Sequence, residues 1–198
     1  MSKRQEVYLF FKRLLDCISS FICILLFLPL LILISIIIKF TSKGPVLFVQ
    51  LRIGKDKKPF KIFKFRTMKK EAPEIPSNEL SPEEIKKLST KIGVFLRKTS
   101  IDELPQIFNI FIGQMSFVGP RPGALKNEDY LVRERDKYQP SPFSVRPGLT
   151  GYAQTHGRRN DSPTKARLDH YYVKNISFLL DLRIIILTIG KLFLFEGS

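Results

Sequence analysis

The stretch FICILLFLPLLILISIII, Phe21 to Ile38, runs for 18 residues without a charge. That length reaches the lower limit for a helix that crosses a bilayer. A signal peptide would have a shorter apolar core followed by small residues at a cleavage site. Lys39-Phe40-Thr41-Ser42-Lys43 follows instead, so cleavage is not expected. Both flanks are basic: Lys3, Arg4, Lys12 and Arg13 precede the run, and Lys39, Lys43, Arg52, Lys55, Lys57 and Lys58 follow it. The positive-inside rule holds such flanks in the cytoplasm, and a simple span strands one of them on the wrong side. Pro29 lies mid-run, where it removes a hydrogen bond to the carbonyl of Leu25 and crowds that turn. A helix that bends at Pro29 and leaves by the face it entered keeps both flanks together; a kinked spanning helix is the other reading.

Outward from this run the chain changes character. Residues 1–42 read as a membrane-associated segment and 43–198 as a second, catalytic domain with amphipathic surface helices. Val46–Arg52 and Phe60–Met68 are rich in Val, Phe and Ile, and Gly54-Lys55-Asp56 between them predicts a small β-hairpin. Lys69–Asn78, with Pro73 and Pro76, reads as a loop. Ser81-Pro82-Glu83-Glu84 has the chemistry of a helix start, with Ser as cap, Pro at the first position and Glu reaching back. A further helix is predicted over Lys91–Arg97, another from Asp102 through Ile107–Phe111 to Gly113, and one around Leu168–Tyr172. Gly119–Gly123 and Arg146–Gly151 read as ordered loops rather than elements. Ile176–Phe195 is apolar but carries Asp181, Arg183 and Lys191, which favours an amphipathic helix on the membrane or on the core over a second span. The fold class is α+β, mainly helical.

A net charge of +15 points to an anionic partner: nucleic acid, an acidic membrane surface or a phosphorylated substrate. The basic residues are scattered, and no RRM, KH or helix-turn-helix pattern appears, so a nucleic-acid partner is not expected; a membrane-tethered nucleic-acid binder or adaptor is the rival reading. Cys17 and Cys23 lie in the greasy segment, and His156 and His170 are the only histidines. A multi-histidine zinc site is therefore excluded, which leaves carboxylates, Lys, Arg or a hard cation for the chemistry.

Asp102-Glu103 are the candidate reactive carboxylates. With Asp102 as N-cap, Pro105 falls at the third helical position and both carboxylates sit at the positive helix end, held ionised. An ionised Asp is a competent nucleophile at phosphorus, and a neighbouring carboxylate suits Mg²⁺. With Ser100 as cap, the same residues make a plain capping box. Arg66, Arg97, Arg121, Arg146, Arg158 and Arg159 lie beside turn or helix-start signals, and guanidinium forks match phosphate oxygens. Singly each also reads as a surface charge, but Gly119-Pro120-Arg121-Pro122 fixes one guanidinium between two prolines. Neither a P-loop nor Gly-x-Gly-x-x-Gly occurs.

Several segments, in order, resemble the bacterial sugar transferases, or monotopic phosphoglycosyl transferases, in their minimal catalytic form. They are Lys64–Met68, Asp102-Glu103-Leu104-Pro105-Gln106, Met115–Pro122, Val145–Gln154, Gly157-Arg158, Leu168–Tyr172 and Ser177–Leu182. The resemblance implies a re-entrant helix broken at Pro29 and a site on the cytoplasmic face of the bacterial inner membrane. It implies that Asp102 attacks the β-phosphate of a UDP-sugar, releases UMP and passes the phosphosugar to polyprenyl (undecaprenyl) phosphate. In that scheme Glu103 binds Mg²⁺, and Arg66, Arg97, Arg121, Arg146 and Arg158 contact phosphates. Asp169 matches another acidic position of the family's site, with a salt bridge to an arginine as the alternative. Membrane lipid and later glycosyltransferases of glycan or exopolysaccharide assembly are the implied partners. The chain departs from the family's usual residues at Leu28, where Ser is common, at Gln114, where Asp is common, and at Thr155-His156, where Val-Asn is common.

Overall fold

A computed structural model describes residues 1–69, 72, 80–124, 129–157 and 161–193. Arg158 and most of the expected loop at 69–78 lie outside the described residues. Mainly helical, the chain also carries a small β-hairpin and one long apolar helix near its N-terminus.

That helix, α1, is Lys3–Thr41, closed at its start by a reciprocal capping box between Ser2 and Gln5. Its 39 residues have a contour of about 58 Å at the α-helical rise. Pro29 lies inside α1, and the helix runs on through it to Thr41. One lost backbone bond is tolerated because both halves of the helix are fastened elsewhere. In the first half, Gln5 Nε2 donates to Lys174 O at 2.8 Å, Tyr8 Oη and Lys12 Nζ donate to Asp181 Oδ2 at 2.6 and 2.5 Å, and Arg13 donates to the carbonyls of Ile110 and Phe111, each at 2.8 Å. Asp16 accepts from Phe117 N at 3.2 Å. These anchors recur every three or four residues and so share one face. In the second half, Leu31, Ile34 and Ile38 are buried with Phe65 and Leu96. Between Phe21 and Leu30 no residue is buried.

β1 (Leu47–Ile53) and β2 (Pro59–Phe65) form the expected antiparallel hairpin, with Leu47 opposite Phe65 and Ile53 opposite Pro59. The second strand stops short of Met68, which makes only an isolated bridge to Ser89. α2 (Pro82–Leu88) starts with the predicted Ser81–Glu84 box, and α3 (Lys91–Lys98) with Thr90, whose hydroxyl accepts from Gly93 N. The helix expected from Asp102 is divided. Ser100 is left-handed at φ 56°, Ile101–Glu103 form a 3₁₀ turn, and α4 is only Gln106–Phe111, with Pro105 in the cap position.

Gly119–Gly123 is a loop as expected, while the expected loop Arg146–Gly151 contains a short strand. β3 (Ser116–Val118) lies parallel to β4 (Gly148–Thr150), with Ser116 paired to Gly148 and Val118 to Thr150. Their backbones approach so closely that a Cβ on Gly148 would lie 2.1 Å from Gly119 N; glycine is required by proximity rather than by dihedral. α5 (Asp129–Asp136), which the pattern did not reveal, links this pair. After β4 come α6 (Tyr152–His156), α7 (Ser162–Lys174), capped by Asp161, and α8 (Phe178–Phe193). α8 packs on the core through Ile184 and Asp181, beside Val118, Tyr172 and Val173, and leaves Phe178, Leu179, Leu182, Ile186 and Ile189 exposed. This is the amphipathic pattern expected of it.

Candidate active site

Strand β2 alternates, so Phe60 and Ile62, which enter the core, share a face with Lys64. That face meets the 3₁₀ turn carrying Asp102 and Glu103. Lys64 Nζ donates to Glu103 Oε1 at 2.6 Å, and Arg121 Nη2 donates to the same oxygen at 3.0 Å. Arg121 comes from the Gly119–Gly123 segment after β3, and Arg97, in the last turn of α3, adds its charge near Asp102. Two carboxylates and three cations from four separate segments thus converge. A shallow cleft beside them is lined by Arg52, Lys64, Gln106, Arg121 and Gly148 among others. Gln106 is buried there, and its Nε2 has no hydrogen-bond partner.

The two acids differ in their proton affinity. Burial pushes the Asp102 carboxyl up to about 6 against the pull of Lys64 and Arg97, and the neighbouring Glu103 charge adds to the rise. The expectation that Asp102 is the N-cap of α4 is corrected. Asp102 precedes a six-residue helix whose cap position is Pro105, so no capping bond stabilises its charge. For Glu103 burial works in the same upward direction, but Arg121 and Lys64 override it and hold the carboxyl at about 2. Burial pulls the Lys64 ammonium below its ordinary value, with Glu103 opposing. One acid is a fixed anion inside a clamp, while its neighbour has weaker electrostatic support and a higher basicity.

Of the arginines predicted from sequence, Arg97 and Arg121 join this cluster. Arg66 is buried at the end of α1, where Nη2 donates to Ser42 O at 2.9 Å and to its hydroxyl at 2.6 Å; its Nε and Nη1 are buried without acceptors. Arg146 donates from Nε to Gly113 O at 2.8 Å, with Arg13 and Asp16 of α1 in its field. Asp169 does not open to the cleft: it is 2% exposed and bound by Arg135, whose Nε and Nη2 lie 3.0 and 2.5 Å from Oδ2. The alternative reading of Asp169, a salt bridge, is the one observed. Sequence reasoning missed Lys64, Gln106 and Arg135 as members of the site and its support. For Lys64 the strand alternation Phe60, Ile62, Lys64 carried the signal; Arg135 had none.

The departures at Gln114 and His156 also have local explanations. Gln114 Oε1 accepts from Asn109 Nδ2 at 2.8 Å. The His156 ring stacks on Tyr152 with centroids 3.8 Å apart.

Mg²⁺ is commonly held by one or two carboxylates, with phosphate oxygens and water completing its shell. Among the described residues there is no group of three or more His, Cys, Asp or Glu for an all-protein cage. The adjacent carboxylates of Asp102 and Glu103 are the smaller donor set at hand, with Glu103 Oε1 already shared by Lys64 and Arg121. The residues therefore fit a hard divalent cation bound jointly with a phosphorylated ligand.

The chain belongs to the bacterial sugar transferase family, whose profile it matches over residues 7–194. Among curated relatives, the UDP-glucose:undecaprenyl-phosphate glucose-1-phosphate transferase of Klebsiella pneumoniae is 42% identical over 202 residues, which cover 95% of this chain and 41% of that protein. The UDP-N-acetylgalactosamine-undecaprenyl-phosphate N-acetylgalactosaminephosphotransferase of Aeromonas hydrophila is 39% identical over 187 residues, 92% of this chain and 44% of that one. The exopolysaccharide production protein PSS of Rhizobium leguminosarum bv. phaseoli is 39% identical over 186 residues, 90% and 92% of the two chains. The chain thus spans about two fifths of the first two relatives and nearly all of the third.

Proposed function

We propose that this protein transfers a phosphosugar from a UDP-sugar to polyprenyl phosphate at the cytoplasmic face of the bacterial cell membrane. The observation that carries the proposal is the Asp102–Glu103 pair with Lys64 and Arg121 converging on one glutamate oxygen. In the first step an Asp102 oxygen attacks the β-phosphorus of the donor. The bond from that phosphorus to the bridging oxygen breaks, UMP leaves with the electron pair, and an aspartyl-phosphosugar remains. In the second step an oxygen of polyprenyl phosphate attacks the same phosphorus and expels the Asp102 carboxylate, giving polyprenyl-diphosphate-sugar. Lys64, Arg97 and Arg121 offset the charge that builds on the phosphoryl oxygens. Arg66, with donors lacking acceptors at the end of α1, is assigned to the acceptor's phosphate; Arg146 and Arg158 stay assigned to phosphate contacts on the family resemblance. Mg²⁺ held by Glu103 would supply electrostatic neutralisation of the diphosphate. Such a product is the substrate for later glycosyltransferases in glycan assembly.

The membrane part of the proposal is re-entrant seating of α1. Both halves of this helix rest on the same body of the protein, whereas a helix crossing a hydrocarbon layer of about 30 Å puts its ends on opposite sides. Phe21, Ile22, Leu25, Leu26, Leu28 and Leu33 are all exposed along this helix, an apolar surface that lipid would cover. Holding the reacting pair at lipid depth saves the entropy of bringing an aqueous donor to a lipid acceptor.

Mixed with a panel of UDP-sugars and Mg²⁺ but no lipid, the protein should release about one equivalent of UMP and gain the mass of a phosphosugar on Asp102. Asp102→Asn should lower UMP release at least about 1,000-fold and remove the adduct; an active Asn variant ends the covalent scheme. In a background free of native cysteines, single cysteines at Gln5 and Lys55 should react with an impermeant label from the same side of a vesicle. Reaction from opposite sides rules out re-entry.

A further inference from the structure

We propose that Arg135, backed by Asp169, is a positioning residue that sets the place of Arg121 in the site. This rests on reading Asp102–Glu103 as the reacting pair. The segment Gly119–Gly123 carries prolines at 120 and 122 and so lacks two backbone donors. It is held through its carbonyls. Pro120 O accepts from Gly148 N at 3.0 Å, Arg121 O from Arg135 Nη2 at 2.9 Å, Pro122 O from Arg52 Nη1 at 3.3 Å, and Gly123 O from Ile53 N at 3.0 Å. The second of these belongs to the residue whose side chain reaches Glu103, and its donor is a buried, charge-paired group.

The geometry of Arg135 suits that task. Its fork spends Nε and Nη2 on Asp169 Oδ2, the same Nη2 also reaches Arg121 O, and its guanidinium carbon lies 5.5 Å from the centre of the Phe143 ring. Asp169 is on α7 and Arg135 on α5, so the pair locks two helices and delivers one donor from that rigid unit to the loop. Well-packed apolar residues often hold helices together as well as a buried ion pair does. What they cannot supply is a directed donor at Arg121 O. A shift of about 1 Å in a group that contacts transferring phosphate is enough to cost on the order of 100-fold in rate.

The test is a double-mutant cycle on single-turnover UMP release without lipid, using UDP-glucose, UDP-galactose, UDP-N-acetylglucosamine and UDP-N-acetylgalactosamine as donors. Arg135→Gln and Arg121→Ala should each slow release on the order of 100-fold. The variant carrying both should be no slower than Arg121→Ala alone, because the effect of Arg135 passes through Arg121. Arg135→Lys, which keeps a cation for Asp169 but not the fork, should melt near the wild type and still slow release; it also replaces Arg135→Gln in the cycle if that variant fails to fold. Losses that multiply in the double variant, or an Arg135→Lys protein with the wild-type rate, overturn the proposal while leaving the site reading intact. A wild-type protein that releases UMP from none of the four donors overturns the site reading and this inference with it.

Discussion

Two acid–arginine pairs flank the backbone of Arg121, and they differ chiefly in their access to water. The Glu103 side chain is 20% exposed and its partner Arg121 is 52% exposed; Asp169 and Arg135 are 2% and 4% exposed. The open pair has positive charge left over, since Lys64 also reaches Glu103, and it stands next to a carboxyl of raised basicity. The closed pair is self-contained apart from one donor directed at a loop carbonyl. On the proposed reading, similar side chains serve chemistry in the open pair and scaffolding in the closed one. Motif position alone does not separate the two.

This contrast can be broken by substitution. Asp169→Ala leaves the Arg135 charge buried without its counterion and should lower unfolding stability by about 3–5 kcal/mol, read from denaturant or thermal melts in detergent. A loss under about 1 kcal/mol, the range of exposed pairs, would mean that Asp169 is not the buried anchor described. Glu103→Gln should do the reverse, slowing UMP release about 100-fold while moving the melt far less than Asp169→Ala does. If Glu103→Gln unfolds the protein but spares the rate in what remains folded, the two pairs have been assigned the wrong way round.

The pH dependence sharpens the comparison further. In the proposed scheme Asp102 attacks as the carboxylate; burial raises its pKa to about 6, so protonation would remove the nucleophile as pH falls. Initial UMP release should drop about tenfold per unit below that point, and the neighbouring Glu103, at about 2, should add no second limb above pH 5. A rate that stays flat from pH 8 to pH 5 takes the nucleophile's role away from Asp102.

Local signals in the sequence succeeded where the physics is local. The Ser81–Glu84 box starts α2, the turn at Gly54-Lys55-Asp56 joins β1 to β2, and the charges in the last apolar stretch mark a helix that packs through Asp181. They failed where distant segments compete. Asp102 looks like a cap for any helix beginning at residue 103, but the left-handed Ser100 and the placement of Pro105 divert it into a 3₁₀ turn. Pro29 announces one lost backbone bond, but the anchors that fasten α1 on either side of it come from distant segments. Arg146–Gly151 looks like a loop, but Gly148–Thr150 pairs as a strand because Gly119 and Gly148 let two backbones touch.

What the amino-acid order determined by itself was the long apolar helix, the basic character, the hairpin and the adjacent carboxylates, because each depends on residues within a few positions of one another. The tertiary structure alone decided which cations meet Glu103, why Asp102 is the more basic acid, and that Asp169 is sealed against Arg135. Those outcomes depend on burial and on contacts between segments separated by 18 to 39 positions, and solvent exclusion at such a junction comes into being only when the chain has folded.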